Sequence, residues 1–111
     1  MVTAVPCVDE EQLHDVFDCK PQTLLALAER VEQSKEDMQL VYREAEMDEL
    51  WRAVTIAVMQ LEHDSAPAEK VVAWNAVKDE VMRIHDLVGV DLDTDVAAFA
   101  LRRLADTVIA L

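Results

Sequence analysis

Glu11 and His14 stand three residues apart, a spacing that puts a carboxylate and an imidazole on one face of a helix. Carboxylate-bridged di-iron sites use two such Glu-x-x-His elements with two further glutamates facing them. Position 60 is Gln and position 82 is Met, so neither His63 nor His85 completes a second element. Glu11 and His14 therefore read as a solvated helix face. Cys7 and Cys19 flank His14, with Asp15 and Asp18 close by. Such donors suit zinc in type. Their spacing matches no Cys-x-x-Cys signature, so the cysteines read as reduced core residues. Asp91, Asp93 and Asp95 alternate ahead of an apolar periodic segment. A calcium loop would need a glycine at its sharp turn and a closing glutamate. Acids at the positive end of a helix account for the alternation instead. With one glycine, Gly89, the chain has no phosphate-cradling loop, and no serine sits in a nucleophile elbow. The expectation is a non-enzyme with no catalytic residue, cofactor or metal.

Two local resemblances bear on that expectation. Glu46 and Glu49, with Asp79 and Glu80, are similar to the glutamate pairs by which all-α nucleotide pyrophosphohydrolases hold magnesium. That resemblance implies a metal-dependent enzyme, but the second Glu-x-x-Asp of the pattern is missing. The segment from Leu13 to Leu24, with Phe17-Asp18-Cys19-Lys20 before Pro21-Gln22-Thr23, resembles the helix-turn-helix of bacterial regulators. It implies a DNA-binding regulator with recognition residues from Gln22 onward. Those residues are apolar and acidic, with only Lys20 and Arg30 nearby, whereas phosphate contacts need cations.

The elements that would position these residues are helices. Of 111 residues, 52% are hydrophobic and 30% charged, a composition that suits amphipathic helices in one domain. Residues 1–8 read as an extended lead containing Pro6, and residues 9–111 as a single all-α domain, a small antiparallel helical bundle. A short helix over 9–17, capped by Asp9, carries Leu13, Val16 and Phe17 on one face. Residues 22–63 hold no Gly or Pro and read as one long helix, bent near Ala45–Glu49, with a break at Asp48 as the alternative. Ser65 is the expected N-cap of a helix that includes Pro67 and ends at a left-handed Gly89. Asp93 or Thr94 caps the last helix. Trp74, Val77, Val81 and Ile84 are expected to pack against Leu101, Leu104 and Val108.

A helix over 22–63 would run about 60 Å, and the next only about 33 Å. The uncovered stripe then predicts a homodimer. No secretory leader and no membrane-spanning run is apparent, so the expectation is a cytoplasmic protein. The formal net charge is -13, with 13 acids against 4 bases in residues 1–50. Such a field repels nucleic acid and anionic membranes and favours a basic protein partner. The expected contact residues are Glu36, Asp37, Tyr42, Glu44, Glu46, Asp48 and Glu49, an apolar centre with an acidic rim. The function so read is a small regulator, inhibitor, adaptor or antitoxin-like module.

Overall fold

The computed structural model describes residues 19–111, and all four elements there are helices: α1 (Pro21–Asp37), α2 (Leu40–His63), α3 (Ala68–Gly89) and α4 (Thr94–Ile109). No strand occurs among the described residues. The expected 9–17 helix, with Glu11, His14 and Cys7, lies outside them.

The expected long helix is two helices, and the break falls at Met38–Gln39 rather than at Asp48, which is inside α2. The cause is rotational. Val31 and Met47 are both fully buried, and Met47 lies 16 residues further on. At about 100° per residue, an unbroken helix would turn Met47 roughly 160° away from Val31. One straight helix cannot aim both stripes at one core. Met38 ends α1 in the left-handed conformation, with φ 57°. The N–H groups of Met38 and Gln39 both donate to the Ser34 carbonyl, closing the helix as a left-handed cap does. Leu40 then packs back on the core.

Two further boundaries differ from the sequence reading. Ser65 is not an N-cap: it sits at φ 55° and ends α2, while Ala66 N–H donates to the Leu61 carbonyl. Pro67 takes the position before α3. Gly89 is not left-handed; the last turn of α3 includes it, and Leu92 supplies the positive φ, 54°. A Cβ at position 89 would lie 3.0 Å from Glu44 Cδ, the far end of a flexible side chain. Of the two expected caps, Asp93 is the one that closes α4, its Oδ1 accepting from Val96 N–H at 3.2 Å, while Thr94 is the first residue of the helix.

Glu32 meets Arg102 and Lys35 lies beside Asp95, so α1 and α4 run in opposite directions. Glu44 faces Gly89 and Asp48 faces His85, which gives the same relation between α2 and α3. Leu24, Leu27, Ala28 and Val31 of α1 share one core with Ala97, Leu101 and Leu104 of α4. Met47, Leu50 and Val54 of α2, and Val77, Val81 and Ile84 of α3, complete it. Trp74 and Val108 are only partly buried against it. Because α1 folds back, its stripe is covered within the chain, and the length mismatch that predicted a dimer disappears.

Candidate functional site

The seven residues expected at a partner surface separate into two groups. Glu44, Glu46, Asp48 and Glu49 are engaged within the fold. Glu46 is the hub: Arg30 Nη2 donates to its Oε2 at 2.5 Å, and Arg43 binds its Oε1. With Glu46 and Arg43 both largely covered, this carboxylate ties α1 to α2 rather than waiting for a partner. Glu49 pairs with Arg52 on its own helix at 3.3 Å. Asp48 Oδ1 lies 2.7 Å from His85 Nε2, although the ring nitrogens of His85 make no well-aligned hydrogen bond. Glu44 lies against Gly89.

Glu36, Asp37 and Tyr42 are exposed at the α1–α2 connection. Met38 there is 89% exposed, and Val41 and Tyr42 are also mostly outside. Sequence reasoning named Tyr42 and missed Val41. It also missed a second group. Val90 and Leu92, on the connection from α3 to α4, are exposed among Asp91, Asp93 and Asp95. The contact of Glu44 with Gly89 and the approach of Lys35 to Asp95 bring both connections to the same end of the molecule. The alternation Val90-Asp91-Leu92-Asp93 was the available signal, but it reads equally as an ordinary turn.

Each connection carries a bulky side chain in the left-handed region, Met38 on one and Leu92 on the other. Side chains branching from Cβ into the following carbonyl make that region costly for residues other than glycine. Neither side chain recovers the cost by burial, since both are exposed. Glu36, Asp37 and Asp91 form no ion pair among the described residues. The arrangement offers apolar contact with uncompensated negative charge around it.

Other sequence candidates are placed as follows. Among the described residues no three His, Cys, Asp or Glu side chains converge as a metal site would require. Glu80 accepts from Arg83 Nε and Nη2, at 2.9 and 2.7 Å, and that hydrogen bonding keeps its carboxyl below the ordinary range. Glu32 is lowered in the same way by Arg102. The helix beginning at Pro21 buries Leu24, Leu27 and Ala28 against the core. Its exposed opening residues are Gln22, Leu25, Ala26 and Glu29, and Arg30 is committed to Glu46.

No protein-family model, curated protein or solved structure matches the chain.

Proposed function

We propose that this chain is a non-enzymatic interaction module that docks a basic protein through the end formed by the α1–α2 and α3–α4 connections. One observation carries the reading. Two exposed apolar groups, Met38-Val41-Tyr42 and Val90-Leu92, stand at one end of the fold with acids beside them, and each includes a strained left-handed residue. Backbone strain that brings no burial is the kind that accumulates at binding surfaces. The apolar groups would supply contact area, and Glu36, Asp37 and Asp91 would steer a cationic partner, raising association rate more than final affinity. Glu44, Glu46, Asp48 and Glu49 then support the surface from behind. This revises the expected contact set by adding Met38, Val41, Val90, Asp91 and Leu92.

A DNA-binding regulator gains no support from the exposed part of α1, where the opening residues offer no row of cations for phosphates.

The test uses a defined probe, a synthetic amphipathic helix of Lys and Leu, titrated into isotope-labelled full-length protein. Resonances of Met38–Tyr42 and Val90–Asp95 should shift together, and Tyr42→Ala should weaken the complex by about tenfold, as losing an interfacial aromatic does. Raising salt should slow association before it weakens the contact. Shifts that map to another surface, or none at all, would refute the assignment.

A further inference from the structure

A groove of about 420 Å³ runs between α3 and α4. Ala76, Val77, Ala100 and Leu104 give it an apolar lining. Phe99 stands at its margin, 61% exposed, with the Arg103 guanidinium 5.9 Å from the ring centre. The charges along it are of both signs. Glu80 lines it, hydrogen-bonded by Arg83, and Arg103 lines it from α4. Asp106 is exposed and lies two turns beyond Phe99, on the same side of α4.

We propose that this groove is a homodimer interface. Two chains would pair about a two-fold axis, with α4 of each lying antiparallel in the groove of the other. The dimer expected from the α1 stripe lost its basis when α1 folded back. This one uses a face that the sequence did not mark.

Charge selects a second copy as the occupant. Two chains of net charge -13 repel each other over most of their surface. At the docking end proposed above, Glu36, Asp37 and Asp91 add to that repulsion. Along the groove, Glu80 and Asp106 are balanced by Arg83 and Arg103. A patch that carries both signs can be complementary to itself, as an isologous contact requires. Shape points the same way. In such a contact each chain offers an identical patch, so the patch must hold both a protrusion and a recess. Phe99 is the protrusion, and the small side chains of Ala73, Ala76 and Ala100 leave the recess next to it.

The register follows from the helix. From Val96 to Thr107 the groove follows α4 for about 16 Å. Its midpoint falls between Leu101 and Arg102. An axis there sets Phe99 level with the partner's Leu104 and next to the partner's Arg103. Arg83, six residues before the end of α3, lies toward the α3–α4 connection and hence toward Val96. The same axis sets it level with the partner's Asp106. Within one chain Asp106 has no ion pair among the described residues.

The experiment is sedimentation velocity on the full-length protein, from about 1 μM to about 1 mM, the span of weak to moderate dissociation constants. The apparent mass should double across that range and stop there. Phe99→Asp should weaken association by about tenfold or more. Met59→Asp, a like change at an exposed apolar residue on α2, should leave it unchanged. Asp106→Arg, which opposes like charges across the axis, should also weaken the dimer, and adding Arg83→Asp should restore it. Restoration by the exchanged pair separates an interface from mere damage to the fold. A monomer at every concentration, a dimer indifferent to Phe99→Asp, growth beyond the dimer, or no restoration by the exchanged pair would each overturn the proposal. Phe99→Asp leaves Met38–Tyr42 and Val90–Asp95 in place, so the Lys/Leu peptide titration should read the same in that variant, and the two proposals fail separately.

Discussion

Replacing Gly89 with alanine should stabilise this protein, although the sequence alone points the other way. A glycine just past an apolar helical run reads as a left-handed cap, where alanine would be strained. In the fold Gly89 closes the last turn of α3 and its φ is not positive. Alanine there gains the helix advantage over glycine, about 0.5–1 kcal/mol in a helix interior and toward the low side at a last turn. The opposing contribution is contact. The new Cβ would meet Glu44 Cδ at 3.0 Å, Oε2 at 3.2 Å and Cγ at 3.3 Å. Those atoms belong to a flexible side chain with no hydrogen bond or ion pair among the described residues, so Glu44 can rotate aside at small cost. The net expectation is a gain of about 0.5 kcal/mol, which for a domain of this size corresponds to roughly 2–4 °C in Tm. Urea denaturation with unchanged slope, alongside a thermal melt, measures it. The cycle with Glu44→Ala adds a second check, because the gain should grow once the obstructing side chain is gone. A loss of stability in Gly89→Ala that Glu44→Ala does not relieve would refute the reasoning and restore a left-handed Gly89.

Met38→Gly should raise stability by about 0.5–1 kcal/mol, since it relieves left-handed strain at a residue with little buried surface; the same variant should bind the Lys/Leu peptide less well, checked by titration. Ile84→Ala should cost about 2–5 kcal/mol in chemical denaturation, because Ile84 is fully buried in the shared core. Glu46→Ala should cost about 1–3 kcal/mol by leaving Arg30 and Arg43 without their shared acceptor; if the denaturation midpoint does not move, Glu46 does not tie α1 to α2. Glu80 has its carboxyl lowered by Arg83 from an ordinary 4.5, so its contribution is present above that pH and fades as pH falls through the lower folded value. Arg83→Ala should therefore destabilise slightly at neutral pH, by well under about 1 kcal/mol for so exposed a pair, and not at all in strong acid, which pH-dependent melts would show.

The helical class, the core faces of α3 and α4 and the Asp93 cap were legible in the chain, because each depends on local periodicity or a local hydrogen bond. Val77, Val81, Ile84, Leu101 and Leu104 recur at three- and four-residue steps, and all are buried. The break at Met38 was less plain, although its cause is in the chain: the Leu24–Val31 and Met47–Val58 stripes are too far out of phase for one straight helix. What placed the break was the return of Leu40 to a core that only the assembled helices create. The partner surface divided for a similar reason. Glu46 and Glu36 look alike as acids, but Arg30, 16 residues away, reaches Glu46 and leaves Glu36 exposed. Short-range spacing dictates which residues share a helix face. Which of those faces meet, which carboxylates are consumed by arginines, and which apolar residues remain outside are consequences of helices that are distant in sequence. Those were decided by tertiary packing alone.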